Sequence, residues 1–573
     1  MKHFNEIKRN IKKDFSSFKT IKIALLGDTS TQFLNVALRG LAYDYHLNID
    51  IFEADFNQIE LQLLNTDSEV YQFKADYVII FYASHKLLNK FYKTNVEART
   101  AFANNKTNQL REICNTINQH LTTKIILYNF PEIDDQIFGN YANKIISSWL
   151  YQQRKLNIEL SALSASIGNL FICDLVSLQN QIGKSNMFRP SVYVNSEMVL
   201  NIEALPELAA RTLSIINAND GKIKKCLILD LDNTTWGGII GDDGIENIQI
   251  GGLGIGKAFS ELQYWAKELK NRGIILAVCS KNTESIAKEP FEKHPDMVLR
   301  LEDIAVFVAN WENKAANIKH IQSILNIGFD SMVFLDDNPF ERNMVREHIP
   351  EITVPELPED PAEYLEYLYT LNLFETVSFS ALDAERTTQY QVEAQRAQLQ
   401  QSFVNEDDFL VSLNMVSKIE PFTKFNTPRV AQLSQRSNQF NLRTVRYNEA
   451  AIAQIGLDEN YASFSFNLED KFGDNGLICA IILEKISKEI FFIDTWFMSC
   501  RVLKRGMENF VLNTIVSFAK NNGSSFLKGE YLPTQKNDMV KDHYKNLGFE
   551  EQENYWFLNL TTFEPKKTFI QNK

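Results

Sequence analysis

The sequence predicts an α/β chain of three linked domains, two built on parallel sheets and a last one on a mixed sheet. Three observations carry this expectation. Residues 21–218 alternate short apolar runs with long helical patterns, which is how a parallel, doubly wound sheet reads. A second βα series follows over 222–372. Residues 404–573 instead line up strand-like runs in succession before a helix. At 573 residues the chain is too long for one core, and length alone suggests about three to four domains.

The elements follow in order. Residues 1–20 are basic and amphipathic and lack the apolar stretch of a signal peptide, so they predict an N-terminal docking helix. Strands are expected at Ile21–Leu26, Ile49–Phe52, Tyr77–Tyr82, Lys124–Tyr128 and Leu170–Cys173. Asn219-Asp-Gly-Lys222 is a turn cluster and marks a boundary. In the second series, apolar runs end at Leu229, Val278 and Leu335, and Pro-rich Val354–Pro361 lies near its end. Residues 373–403 read as a linker, with a charged, Gln-rich helix over 382–402. The last domain predicts strands at Tyr461–Phe466, Gly476–Leu483 and Ile490–Phe497 and a helix over Gly506–Ala519.

Composition excludes several classes. A net charge of −13 argues against nucleic acid as the main partner. Six scattered cysteines without a C-x-x-C pair predict reduced thiols and a cytoplasmic location, with neither a disulfide frame nor a zinc site. No apolar run approaches about 18 residues, so no membrane span is expected.

The chemistry concentrates in Cys226-Leu-Ile-Leu-Asp-Leu-Asp-Asn-Thr-Thr235. An apolar strand ends in Asp230, Asp232 follows two residues later, and period-2 alternation sends both carboxylates into one crevice. Two such anions need a cation, and Mg²⁺ suits oxygen ligands. Ser280 ends the next apolar run, Lys314 lies in Trp311-Glu-Asn-Lys-Ala, and Asp336 and Asp337 end the run Met332–Leu335. Taken singly these residues are unremarkable: Asp-x-Asp and Asp-Asp-Asn-Pro read as turns, Ser280 as a helix cap and Lys314 as a surface lysine. In this order, at the ends of strands, they form a candidate phosphotransfer site.

That order resembles the haloacid-dehalogenase (HAD) superfamily. The longer phrases Leu229–Gly238, Phe334–Arg342 and Gln435-Arg-Ser-Asn-Gln-Phe-Asn-Leu442 resemble its FkbH-like members, with a departure at Thr235, where Leu is expected. The resemblance implies a phosphatase working through an aspartyl phosphate. Asp230 is then the nucleophile and Asp232 the general acid and base, its backbone carbonyl lent to Mg²⁺. Thr234 orders the loop, Ser280 binds phosphoryl oxygens and Lys314 neutralises their charge. Asp337 completes the metal set of Asp230, Asp232 and Asp337, while Asp336 holds Lys314 or a metal-bound water. About 34 residues between Ser280 and Lys314 are consumed by a crossover, so no cap domain is expected. Gly251-Gly-Leu-Gly-Ile-Gly-Lys-Ala258 falls short of a phosphate-binding loop and reads as a turn.

The flanking domains carry weaker resemblances. Gly27-Asp-Thr-Ser30 resembles the entry block of SGNH hydrolases, a flavodoxin-like fold, but no His lies between Asp174 and Lys222 to serve as base, so a non-catalytic domain is expected. Arg501-Val-Leu-Lys-Arg-Gly506 resembles the pyrophosphate loop of GNAT acyltransferases, although Lys504 replaces a Gly. His543-Tyr-Lys-Asn-Leu-Gly-Phe549 is similar to the late helix-turn of that fold. Arg501, Lys504, Arg505 and Gly506 would then hold coenzyme A or a phosphopantetheine arm. Cys500 is a candidate acyl relay beside its default reading as a buried thiol, and Cys279 is a second. The FkbH-like resemblance implies loading of a glyceryl unit from 1,3-bisphosphoglycerate onto an acyl carrier protein. The alternative is an N- or O-acyltransferase with an accessory phosphatase domain, in cell-surface glycan or secondary-metabolite biosynthesis.

Overall fold

Five parallel strands form the first sheet: β1 (Lys19–Gly27), β2 (Leu47–Glu53), β3 (Tyr77–Phe81), β4 (Lys124–Tyr128) and β5 (Leu170–Cys173), in the order β2-β1-β3-β4-β5. The computed structural model describes residues 2–379, 386–400, 402–499, 502–503, 505–534 and 536–573. The chain divides into two compact units, 1–217 and 218–573. In the first unit alternate residues of each strand enter different cores. Ile23, Leu25, Ile79 and Ile126 pack on one face, and Ala24, Leu26, Val78, Ile80, Ile125 and Leu127 on the other. Helices cover both faces, which is why the strands read as continuous apolar runs. The expected N-terminal helix is shorter than 1–20: it spans Phe4–Asn10, and the chain is already in β1 at Lys19. Phe4 and Ile7 are buried. The Ile7 carbonyl lies so close to Gly40 that a Cβ there would stand 2.3 Å from it.

The second unit contains two sheets. Four parallel strands, β6 (Cys226–Leu229), β7 (Ile275–Ser280), β8 (Val306–Ala309) and β9 (Met332–Leu335), run in the order β8-β7-β6-β9. Between Ser280 and Lys314 the chain holds only the helix Glu284–Lys293, a short turn and β8. The other sheet comprises β10 (Val416–Glu420), β11 (Tyr461–Asp470), β12 (Gly473–Lys485), β13 (Ile490–Met498), β14 (Phe526–Gly529), β15 (Glu550–Gln552), β16 (Tyr555–Asn559) and β17 (Gln571–Asn572). Their order is β15-β16-β14-β13-β12-β11-β10-β17.

β13 and β14 pair in parallel only over Ile490–Phe492 and then diverge. Residues 440–442 enter the gap. The Leu442 N–H donates to the Trp496 carbonyl at 3.3 Å, Met498 N–H to the Phe440 carbonyl at 3.1 Å, and Leu532 N–H to the Leu442 carbonyl at 2.9 Å. The segment Gln435–Leu442 thus supplies a structural filler in this sheet.

The linker helix, Arg386–Gln400, ties the two sheets together. Gln391 donates to the Ile304 carbonyl at 2.9 Å, just before β8. On its other side Arg396 and Arg505 share the carboxylates of Glu393 and Asp470 in a buried ring: Arg396 reaches Asp470 at 2.8 Å and Arg505 reaches Glu393 at 2.6 Å. Further contacts between the regions also meet the amino ends of the parallel strands. Lys225 Nζ donates to the Arg436 carbonyl at 2.9 Å, and Asn438 to the Gly221 carbonyl at 2.7 Å. No described helix is long and apolar enough to cross a membrane.

Candidate active site

The carboxyl edge of the β8-β7-β6-β9 sheet brings Asp230, Ser280, Lys314, Asp336 and Asp337 together. Strands of four to six residues with every side chain buried hold the loops that follow them. Asp230 leaves β6 and its N–H donates to the Leu335 carbonyl at 3.0 Å, which pins it beside β9. Lys314 begins the helix Lys314–Leu325, capped by the Asn313 side chain on the Ala316 N–H. Its ammonium lies 3.0 Å from Asp230 and 2.5 Å from Asp336, and all three groups are buried.

Electrostatics follow from this geometry. Burial pushes the Asp230 carboxyl above the usual carboxylate range, against Lys314 and with Asp336 adding to the rise. Burial also raises Asp336 and Asp337. For Lys314, burial opposes the ammonium, but Asp230 and Asp336 outweigh it and keep it charged. One oxygen from each of Asp230, Asp336 and Asp337 lies within 4.8 Å of the others. Three carboxylates facing one ammonium leave an excess of two negative charges, which a divalent ion offsets, and an all-oxygen donor set suits a hard cation. Asp336 is taken on both oxygens, by Lys314 and by the Asn338 N–H, so Asp230 and Asp337 are the carboxylates better placed to hold such an ion.

Thr234 links the loops: the Asp337 N–H donates to its hydroxyl oxygen at 3.0 Å. The carboxylate of Asp232 is taken by the flap that follows it, residues 236–244, and by Asn282. Oδ1 accepts from Trp236 Nε1 and the Ile240 N–H, both at 3.0 Å, and Oδ2 accepts from Asn282 at 2.8 Å. Asn282 also reaches the Ser280 hydroxyl at 3.4 Å. Trp236 lies in the phrase Leu229–Gly238, whereas Asn282 is not identifiable from spacing, although it stands only two residues beyond Ser280. Arg342, inside the phrase Phe334–Arg342, donates to the carbonyls of Asp336 and Asp337 at 2.9 and 2.6 Å. Thr235, the departure from the family phrase, donates to the Asp230 carbonyl at 2.6 Å and so braces the loop.

The residues proposed around the last helix stand differently. Cys500, Arg501 and Lys504 lie outside the described residues. Arg505 is committed to Glu393 and Asp470, so its charge is already answered by protein carboxylates. Gly506, with φ +75°, caps the helix Met507–Asn521. Cys279 is buried against Lys314, and burial pushes its thiol up. His543 is enclosed by Phe440, Trp496 and Tyr544, and burial holds its imidazole down at about 3. The glycine-rich stretch after the flap forms a turn before the helix Gly256–Asn271, where the Gly251 N–H donates to Ser260.

Comparison with known proteins places these observations. Residues 22–217 match the family model "FkbH, N-terminal domain". The crystal structure of the N-terminal part of the protein BF1531 from Bacteroides fragilis, containing a phosphatase domain complexed with Mg, is 58% identical. The match covers 66% of this chain and 100% of that one, with a TM-score of 0.64. The ribosomal-protein-S18-alanine N-acetyltransferase of Escherichia coli is 15% identical over 26% of this chain and 97% of its own, with a TM-score of 0.21. An N-acetyltransferase from Staphylococcus aureus Mu50 is 16% identical over 26% and 99%, with a TM-score of 0.20. Likenesses at that level carry no conclusion. No protein of curated function matches the sequence. The chain belongs to the FkbH-like family of HAD phosphatase-domain proteins.

Proposed function

We propose that the chain is a Mg²⁺-dependent phosphatase that works through an aspartyl phosphate at Asp230 and serves acyl transfer to a carrier protein. The observation that carries the first part is the buried contact of Lys314 with both Asp230 and Asp336, beside Asp337. An oxygen of Asp230 forms the new bond to phosphorus as the bond to the leaving group breaks. Lys314 offsets charge spreading over the phosphoryl oxygens, and Ser280 orients them. Water then cleaves the aspartyl phosphate while Asp232, held by Asn282 and the flap, takes up its proton. Mg²⁺, present in the Bacteroides fragilis relative, supplies further charge neutralisation when bound to Asp230 and Asp337, with the Asp232 carbonyl as a third ligand.

The carrier reading has two supports. No cap is inserted among the described residues of this sheet's loops, and Trp311, in the loop before Lys314, and Phe340, in the first turn of the helix after Asp337, are 75% and 70% exposed. Such an open mouth suits a phosphate or acyl group presented on a large partner. The last region, moreover, meets the amino ends of β6 and β8 while the carboxylates sit at the carboxyl ends. A four-residue strand separates those edges by roughly 13 Å. An acyl unit that visits both regions therefore travels on a flexible arm, which phosphopantetheine provides. We take the donor to be 1,3-bisphosphoglycerate, the unit transferred to be glyceryl, and the last region to be GNAT-like, with Cys500, Arg501 and Lys504 at its loop.

Intact mass spectrometry of holo carrier proteins incubated with the chain, Mg²⁺ and 1,3-bisphosphoglycerate tests the reading. A glyceryl adduct that requires Asp230 supports it. Phosphate release with no adduct on any carrier would leave the phosphatase and remove the transfer, favouring the accessory-phosphatase alternative.

A further inference from the structure

The loop that carries Asp336 and Asp337 is only three residues long, closed between β9 and the helix Pro339–His348. Asn338 caps that helix by accepting from the Phe340 N–H at 2.9 Å, and Pro339 opens it. The carbonyls of Asp336 and Asp337 precede the helix, so its own ladder does not use them, and Asp336 is fully buried. Arg342 answers both. Helix side chains lean toward the N-terminus, and from the first turn Arg342 reaches back over the loop. A single nitrogen, Nη1, donates to the Asp336 carbonyl at 2.9 Å and to the Asp337 carbonyl at 2.6 Å. Nε and Nη2 turn the other way, to one oxygen of Glu356, each at 3.0 Å. Arg346 holds the other oxygen. Glu356 comes from the Pro-rich segment, which has just run beside β9: the Phe334 N–H donates to the Thr353 carbonyl at 2.9 Å.

The consequence falls on Asp337. The peptide group before it is held at both ends, its carbonyl by Arg342 and its N–H by the Thr234 hydroxyl oxygen at 3.0 Å. The peptide group after it is held at both ends too: its carbonyl accepts from Arg342, and the Asn338 N–H donates to Asp336 Oδ1 at 2.9 Å. Two fixed peptide planes fix the two dihedral angles of the residue between them, and with them the direction in which its side chain leaves the backbone. Asp337 is itself half-buried, and its carboxylate accepts from the Thr234 hydroxyl at a long 3.4 Å, so the backbone does most of the placing. Helix stability does not account for the arginine. A cation in the first turn opposes the helix dipole, and a buried guanidinium needs an answering charge, which Glu356 supplies.

We propose that Arg342 is a positioning residue for the metal. Acting through the two peptide planes around Asp337, it holds that carboxylate where, together with Asp230, it receives the divalent ion, and Glu356 keeps the guanidinium in place. The inference rests on the phosphatase reading, in which Asp337 is a metal ligand. Its sign is opposite to that of plain electrostatics. A positive group beside a cation site repels the cation, so by charge alone removing the guanidinium tightens binding. A positioning role requires that removing it loosens binding.

Calorimetric titration of the full chain with Mg²⁺ reads that sign. Arg342→Gln is expected to weaken Mg²⁺ by at least about tenfold, the usual cost of losing a group that orients a metal ligand. Arg342→Lys keeps the charge but cannot reach both carbonyls and Glu356 together, so it is expected to weaken Mg²⁺ by a smaller factor. Unfolding curves taken without metal establish that each variant is folded at the temperature of titration; if Arg342→Gln is not, Arg342→Lys decides alone. Asp337→Asn separates this inference from the reading beneath it. Wild-type binding that is absent, or indifferent to Asp337→Asn, would overturn the metal assignment and the role of Arg342 with it. Binding that needs Asp337 yet is unchanged or tightened by Arg342→Gln, or by Arg342→Lys where that variant decides, would overturn the role of Arg342 alone.

Discussion

Asp28 and Asp230 occupy the same kind of place, each just beyond the first strand of a parallel sheet at its carboxyl edge. Their surroundings differ. Asp230 meets an ammonium at 3.0 Å and shares its crevice with two more carboxylates. Asp28 meets a backbone N–H at 2.8 Å. The topology supplies a location and an orientation in both cases. What the next strands deliver decides whether the carboxylate faces an ammonium and further carboxylates or only backbone donors.

The sharpest way to break the comparison is to remove the carboxylate proposed as nucleophile. Asp230→Asn is expected to reduce Mg²⁺-dependent phosphate release by at least about 10³-fold with little change in thermal midpoint. Retained turnover would put Asp230 on the same footing as Asp28. Next in size is Lys314→Met. It leaves Asp230 and Asp336 buried without their cation, so turnover should fall by about 10²-fold or more and stability by about 3–5 kcal/mol, read from urea unfolding without added metal. An unchanged midpoint would mean that the two carboxylates do not depend on it.

Asp28 is expected to behave in the opposite sense. Its carboxyl is raised to about 6 in the fold, from 3.8 in the unfolded chain, mainly by burial. The folded protein then holds the proton more tightly, so this group lowers stability as pH rises from about 4 to about 6, and the penalty persists above that. Asp28→Asn should stabilise the protein by up to ~3 kcal/mol at pH 8 and by almost nothing near pH 3.5. Equal effects at both pH values would show that the carboxyl is not held above its usual range. The smallest effect belongs to Asn282→Ala. It removes the donor to Asp232 Oδ2 and should lower kcat by about tenfold with KM nearly unchanged; a change confined to KM would assign Asn282 to substrate binding.

The parallel strands and the carboxylates gathered at one sheet edge were legible because short apolar runs end in acidic residues. β4 and β5 match their expected spans residue for residue. Short strands were not legible: β15 is exposed at all three positions and carries no alternation. Asn282 was missed because a single polar side chain after a strand has no periodicity; only the fold brings it to Asp232, 50 residues away. Arg505 shows the converse error. A cation just before a helix reads as an anion binder, yet its carboxylates come from Glu393, 112 residues earlier, and from Asp470. Local sequence cannot reveal a partner at that distance.

The gap between β13 and β14 also sets an order of assembly. Its filler, residues 440–442, hydrogen-bonds to Trp496, Met498 and Leu532. On the ribosome the filler emerges well before any of these; it can join β13 once residue 498 has left the exit tunnel, and its other side stays open until residue 532 has followed. The first sheet, by contrast, closes on strands that are all made by Cys173. Vectorial synthesis therefore releases a finished amino-terminal unit while the last sheet is still open, and the interval between them is when the nascent chain most needs shielding from self-association.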